Sequence, residues 1–151
     1  MKALSLRHPW CHVVLHYGKS IENRKWNTLF RGEFLIHASK GMTQAYYSDA
    51  EALIANALGW AAFGAAAIEQ RAAFRRDFKE RAQFGGIVGR ARLVDVVPPC
   101  AGDARCGHEP WHIREQHGFV LADVTALPFV PLQGKLSFFN VSESVLGGRL
   151  S

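Results

Sequence analysis

The chain has 151 residues, of which 48% are hydrophobic and 21% are charged, as in one ordinary globular domain that spans 1–151. This composition excludes a disordered, a collagen-like or a disulfide-scaffold protein. The formal net charge is +5, and the whole excess falls within residues 1–40, where seven lysines and arginines accompany two glutamates.

The first half of the chain predicts a strand, a helix and two more strands. Residues 3–6 form a short apolar strand, and Pro9 suits the first turn of a helix that runs to about His16 and ends at Gly18. Residues 19–24 and 33–38 are predicted strands, separated by a polar and aromatic loop. The alanine-rich region from 43 to 83 predicts two helices with an interruption at 59–64.

The second of these helices has two distinct faces. Helical spacing predicts a core face that carries Phe63, Ala67, Phe74 and Phe78. A basic face repeats every four residues, and it carries Arg71, Arg75 and Lys79. Acidic residues lie nearby at helical spacing, so a solvated, salt-bridged face is favoured over a nucleic-acid groove.

The last third of the chain predicts strands over 86–97, 118–124 and 136–141. The loop 98–117 between the first two is long for a compact domain, which hints at a functional role. We therefore predict an α+β fold built on a small barrel of five to six mixed strands, with the helices inserted after the third strand.

The sequence favours a cytoplasmic protein without a membrane partner. It has no apolar run of bilayer-spanning length, and its start lacks the apolar segment of a signal peptide. The three cysteines, at 11, 100 and 106, are an odd number with no framework spacing, which predicts free thiols in a reducing compartment.

Three sequence blocks in the first 41 residues carry most of the chemical information. They are LSLRHPW at 4–10, GKSIENRKW at 18–26 and RGEFLIHASKG at 31–41. Their order and spacing resemble the ASCH domain family (activating signal cointegrator homology), whose members share an LSLRxPW start, a GKxxExR strand and an RGxxxIHxxK strand. The segments 118–124 and 134–141 look like the family's two C-terminal strands. In this chain His8 stands where a glutamine is common.

The resemblance implies a PUA-like β-barrel with a cleft that relatives use to bind RNA or nucleotides. Some relatives cleave RNA, and others remove the acetyl group from acetylcytidine. In the deacetylating relatives a threonine follows the motif lysine by three positions, whereas Glu22 follows Lys19 here, which weakens that interpretation.

The leading hypothesis is a protein that binds single-stranded RNA or a nucleotide-like ligand. Guanidinium groups grip phosphates through two hydrogen bonds, and aromatic rings stack on bases. The predicted nucleic-acid contacts are Arg7, His8, Trp10, Arg24, Lys25, Trp26, Ser39 and Trp111. Ribonuclease activity would add groups that move protons or stabilise charge on phosphorus. The catalytic candidates are Lys19, Glu22, His37, Lys40 and Ser137.

Cofactor requirements and competing roles stay open. Nothing in the sequence requires a cofactor. If the protein is a ribonuclease, the cofactor that we expect is a divalent metal ion, manganese or magnesium. Glu22 and Arg24 point to one face of a strand, so a structural ion pair suits them equally well. A lone histidine on a strand, such as His37, is more often structural. Ser137 is equally consistent with a buried hydroxyl that has no functional role.

Two other functions compete with RNA binding and cleavage. The first is an amidohydrolase that acts on a modified nucleoside such as acetylcytidine, with Lys19 as the base and Glu22 as the acid. The second is a non-enzymatic nucleic-acid or protein interaction module, recruited through the basic helix face, although no protein partner is evident from the sequence.

Overall fold

A computed structural model describes residues 1–100 and 110–147. In chain order the elements are β1 (Lys2–Leu6), α1 (Trp10–His16), β2 (Ile21–Arg24), β3 (Gly32–Ala38), α2 (Gln44–Ala57), α3 (Gly64–Arg81), β4 (Gly86–Val97), β5 (His117–Pro131), β6 (Phe138–Asn140) and α4 (Glu143–Leu146). The class is α+β, as predicted, and α2 and α3 follow the third strand.

The six strands form one mixed sheet in the order β2-β5-β4-β3-β1-β6. β1 and β3 run parallel, and the other neighbouring pairs are antiparallel. The sheet curls into a half-barrel, which agrees with the predicted small barrel-like architecture. The last predicted strand is shorter than expected, since it covers Phe138–Asn140 rather than 136–141.

The central strands are apolar on both faces because both faces are covered. Leu4 of β1 and Ile36 of β3 belong to one core, which also takes Val14 of α1. Ala3 and Leu35, the alternate residues of the same two strands, belong to a second core. A strand covered on both faces reads as a continuous apolar run, and burial on two sides also fixes its register.

Helices α2 and α3 pack on α1 through a third core. Its buried members include Val13 of α1, Ile54 of α2, and Phe74 and Phe78 of α3. The predicted core face of α3 is therefore confirmed for Ala67, Phe74 and Phe78, which are buried. The prediction is wrong for Phe63, which is 86% exposed because it lies at the N-cap, before the helical spacing begins.

Two of the three residues of the predicted basic face of α3, Arg71 and Arg75, form salt bridges, which confirms the prediction for them. Arg71 and Arg75 approach the Glu51 carboxylate of α2 at 2.7 and 2.6 Å. Their partner thus lies on the neighbouring helix rather than on α3 itself.

Two further findings concern the hydropathy of the helices and the state of the cysteines. No helix in the described ranges is long and apolar enough to cross a bilayer. Cys11 is a buried free thiol, but Cys100 is disulfide-bonded, so the prediction of free thiols is wrong for Cys100. Cys106 and the rest of 101–109 lie outside the described residues.

Candidate functional site

A cleft of about 1370 Å³ opens at the edge of the sheet where β1 and β3 end. Because these strands are parallel and pair Ser5 with His37, their carboxyl ends meet at the same edge. The chain that leaves β1 brings Arg7 to the cleft, and the chain that leaves β3 brings Ser39 and Lys40. The topology thus joins the first and third sequence blocks at one site.

Ten of the thirteen predicted site residues line this cleft. They are Arg7, Trp10, Glu22, Arg24, Lys25, Trp26, His37, Ser39, Lys40 and Ser137. Residues separated by more than one hundred positions therefore share one surface.

The other three predicted residues do not line the cleft. Lys19 is buried, with its Nζ 5.2 Å from the centroid of the Trp10 ring. His8 is 1% exposed and donates from Nε2 to the Gln83 carbonyl at 2.7 Å. Trp111 packs against the core between α1, α2 and α3, and its carbonyl accepts a hydrogen bond from Asn23.

Three charged side chains from the GKSIENRKW block form a row that runs from the buried Lys19 to Glu22 and Arg24 at the cleft. Lys19 Nζ lies 3.4 Å from Glu22 Oε2 and also donates to the Ile21 carbonyl, whereas Arg24 Nη2 lies 3.3 Å from Glu22 Oε1. Arg24 Nη2 also donates to the Ser5 carbonyl at 2.5 Å. Burial lowers the pKa of Lys19, although the charge of Glu22 opposes that effect. Both Glu22 oxygens therefore face cations.

The cleft does not fit a divalent metal ion held by protein ligands. Glu22 supplies the one carboxylate among its lining residues, and both Glu22 oxygens are already engaged. Manganese and magnesium favour carboxylate and other oxygen ligands. In the described residues no three histidine, cysteine, aspartate or glutamate side chains lie together so that they could hold a metal.

Tyr46 is a lining residue that the sequence analysis missed. It lies in the first turns of α2, and the Arg7 guanidinium carbon sits 5.5 Å from its ring centroid. Burial is the main cause that raises the pKa of Tyr46, and the Glu22 charge acts in the same direction. Nothing in an alanine-rich helical sequence distinguishes this tyrosine from the buried Tyr47 beside it, so no sequence signal was available.

Other missed residues come from the segments around the cleft. They are Ser5, Asn23, Phe84, Gly85, Gln116 and the stretch Leu132, Gln133, Gly134, Lys135 and Leu136. Ser5 and Asn23 belong to the sequence blocks that carry the ASCH resemblance, which was the available signal for them. Residues 132 and 133 belong to no motif, whereas 134–136 fall in a segment that resembles a C-terminal strand of the family, an ordinary pattern that marks no site residue.

His37 has both ring nitrogens engaged within the protein. Its Nε2 donates to the Leu132 carbonyl at 2.6 Å, and its Nδ1 lies 2.9 Å from the Ser5 hydroxyl. A carbonyl oxygen only accepts, so Nε2 carries a hydrogen, and Nδ1 is paired with the Ser5 hydroxyl. The ring is 3% exposed.

The lining side chains combine positive charge with aromatic rings. Five are basic, namely Arg7, Arg24, Lys25, Lys40 and Lys135. Four are aromatic, namely Trp10, Trp26, Tyr46 and Phe84. With a single carboxylate among them, the surface attracts anions and presents rings on which bases can stack.

No family model matches this chain, and no curated protein matches it.

Proposed function

We propose that the protein binds single-stranded RNA in the cleft and that it is a PUA-like protein of the ASCH type. The observation that carries the proposal is the lining of the cleft, with five basic and four aromatic side chains and one carboxylate. The half-barrel and the three N-terminal blocks support the family part. A single strand is favoured because its unpaired bases are free to stack on protein rings.

Binding is better supported than cleavage. Of the catalytic candidates, Lys19 does not line the cleft, and the polar atoms of Glu22 and His37 are bonded within the protein. Lys40 and Ser137 are the candidates that stay exposed at the lining. Ribonuclease action is therefore a secondary part of the proposal, which depends on these two residues and is tested separately.

The binding test compares two substitutions of equal charge. Lys40→Ala removes a cleft cation, whereas Lys79→Ala removes an exposed cation from α3 outside the cleft. We expect Lys40→Ala to weaken binding of a labelled single-stranded decamer RNA roughly three- to tenfold and to reduce the slope of log affinity against log salt by ~0.7. We expect Lys79→Ala to leave both unchanged.

Fluorescence anisotropy at several salt concentrations, with a duplex of the same sequence as a second probe, measures these effects. Equal losses in the two variants would point to diffuse attraction or to the basic face of α3. Tight duplex binding would contradict the stacking argument. RNA cleavage that persists in both Lys40→Ala and Ser137→Ala would count against the ribonuclease part.

One observation favours the amidohydrolase alternative. Burial lowers the pKa of Lys19, which is the change that makes a lysine amine a usable base. Turnover of acetylcytidine by the unaltered protein, followed by chromatography, tests it directly. We expect none, because Lys19 does not line the cleft and both Glu22 oxygens face cations.

A further inference from the structure

Residues 132–137, which connect β5 to β6, form one side of the cleft and are called the cleft wall below. The main-chain N–H of Leu132 donates to the Gly85 carbonyl at 3.1 Å. Beyond that bond the wall turns outward: Lys135, Leu136 and Ser137 are exposed, Leu136 to 94%. Ser137 also has a positive φ of 57°, which few residues other than glycine adopt. Contacts with neighbouring strands must therefore hold the wall in place.

The second anchor of the cleft wall is His37, from the floor of the cleft. Its Nε2 donates to the Leu132 carbonyl at 2.6 Å, and Ser5 fixes the other side of the ring through a 2.9 Å hydrogen bond to Nδ1. Ser5 and His37 face each other across the parallel β1 and β3 ladder. The pair is therefore held by two rigid strands, which suits it to position a more exposed segment.

Gly134 brings the backbone of the wall down onto this pair. A Cβ atom added at Gly134 would lie 2.6 Å from His37 Cε1 and 2.6 Å from Ser5 Oγ. These distances are far shorter than van der Waals contact, so no larger residue fits unless the wall moves. The wall thus has a hydrogen bond and a close steric contact with the same two side chains.

We propose that His37 is a positioning residue that, together with Ser5, sets the cleft wall as a specificity-determining surface for the ligand. This inference rests on the proposed function. His37 does not transfer protons to the ligand, since both of its nitrogens are bonded and its ring is buried. The wall supplies the contacts instead: Lys135 offers a cation for a phosphate, and Leu136 offers an exposed apolar surface for a base or ribose.

Two substitutions separate positioning from proton transfer. In glutamine the side-chain nitrogen Nε2 occupies nearly the place of histidine Nε2, so His37→Gln keeps a donor for the Leu132 carbonyl. Asparagine is shorter and reaches only the Nδ1 position, so His37→Asn loses that bond. A positioning role predicts that ligand binding is kept in His37→Gln and weakened in His37→Asn. A proton-transfer role predicts that the two variants behave alike, since neither side chain can transfer a proton.

The readouts are amide hydrogen exchange over 132–137 and the anisotropy of labelled hexauridine. We expect His37→Asn to speed exchange in the wall selectively and to weaken binding roughly tenfold, the effect of one lost hydrogen bond. We expect His37→Gln to stay within about threefold of the unaltered protein. Lys135→Ala should weaken binding without changing exchange, because it removes a contact but leaves the anchor.

Gly134→Ala tests the steric contact without substituting either anchor side chain, since the added methyl group collides with His37 and Ser5. The wall is exposed, so the variant should fold while its wall exchanges faster and binds hexauridine more weakly. Loss of affinity in both His37 variants with unchanged exchange would overturn positioning, as would an unaffected His37→Asn. If the unaltered protein does not bind hexauridine, the proposed function and the ligand role of the wall both fail, while the exchange data still decide what holds the wall.

Discussion

At the scale of single residues, burial sets the acid–base behaviour of His8. Its ring packs against Phe78 and Phe84 at centroid distances of 5.3 and 4.5 Å. Burial lowers the pKa of His8 from 6.5 to about 4 and outweighs the hydrogen bond to Gln83, which acts in the opposite direction. A histidine with a lowered folded-state pKa binds its proton more tightly in the unfolded chain. Its stabilising contribution is therefore complete above pH 6.5 and is lost as the pH falls toward 4.

We predict that the free energy of unfolding falls less between pH 7 and pH 4 in His8→Gln than in the unaltered protein. Glutamine keeps a side-chain donor for the Gln83 carbonyl but has no titrating group. The shift corresponds to about 3 kcal/mol between pH 7 and pH 4, and the variant should retain about that much more unfolding free energy at pH 4, relative to its own value at pH 7. Urea unfolding at the two pH values measures it.

The matched control for this prediction is His16→Gln. His16 is the last residue of α1, the helix that begins two residues after His8, and its side chain is exposed, so its substitution should leave most of the loss of stability at acid pH in place. If the loss of unfolding free energy between pH 7 and pH 4 is reduced equally in the two variants, or is not reduced in His8→Gln, groups other than His8 dominate acid unfolding.

The sequence predicted residue types at the site better than it predicted residue roles. The motifs predicted Arg7, Arg24 and Lys40 as contacts of one ligand, and all three line the cleft. The parallel pairing of β1 with β3 places the ends of the first and third blocks side by side. The burial of Lys19 and the double bonding of His37 were not predictable. The bonding of His37 depends on Leu132, which is 95 positions away in the sequence. The burial of Lys19 depends on tertiary packing that no local pattern encodes.

At the scale of secondary structure, Glu51 links the two long helices. Its side chain is 2% exposed and accepts hydrogen bonds from Arg71 at 2.7 Å and from Arg75 at 2.6 and 2.8 Å. Burial by itself raises the pKa of Glu51, but the hydrogen bonds from Arg75 and Arg71 outweigh it, and the pKa is lowered. The pairing therefore holds α2 against α3 as long as Glu51 is ionised.

We predict that Glu51→Gln lowers the free energy of unfolding by about 2 kcal/mol. The substitution keeps the shape but removes the charge that two arginines share, and hydrogen bonds to charged groups contribute about 1.5–3 kcal/mol. The arginines are partly in water, which keeps the loss below that of a fully buried pair. Glu69→Gln on the exposed surface of α3 should change stability by less than about 0.5 kcal/mol. Equal urea midpoints for the two variants would contradict the linking role.

Element boundaries were hardest to predict where the sheet has an edge. β5 runs to Pro131, whereas the sequence predicted an end at 124. The strand thus contains Pro128 and Pro131, which are unusual within a central strand. β2 pairs with β5 only over His117–Val120, so the later part of β5 pairs with β4 and leaves its other side unpaired among the described strands. Proline is tolerated there, since no hydrogen-bond donor is needed on that side.

At the scale of the whole molecule, the fold gathers much of the basic excess of the first 40 residues into one cleft. Four of the five basic side chains in the cleft come from that segment, and Lys135 of the cleft wall adds the fifth. Three arginines of α3 instead pair with carboxylates: Arg71 and Arg75 with Glu51, and Arg81 with Asp77. The fold thus separates cations that face the cleft from cations that face carboxylates, and the first group is the one available to an anionic ligand.

The size of the cleft predicts how affinity depends on ligand length. At about 1370 Å³ it exceeds the ~300–1000 Å³ typical of small-molecule pockets, and its cations are spread over several elements. We expect affinity to rise from uridine monophosphate through short oligouridines and to level off at roughly four nucleotides, the lower end of site sizes for single-strand-binding barrels. Competition against labelled hexauridine at fixed salt measures the series. If uridine monophosphate competed as well as the tetramer, only one nucleotide would be bound, and a modified nucleoside would become the better candidate ligand. A rise that continued past eight nucleotides would instead mean that the strand follows a surface beyond the cleft.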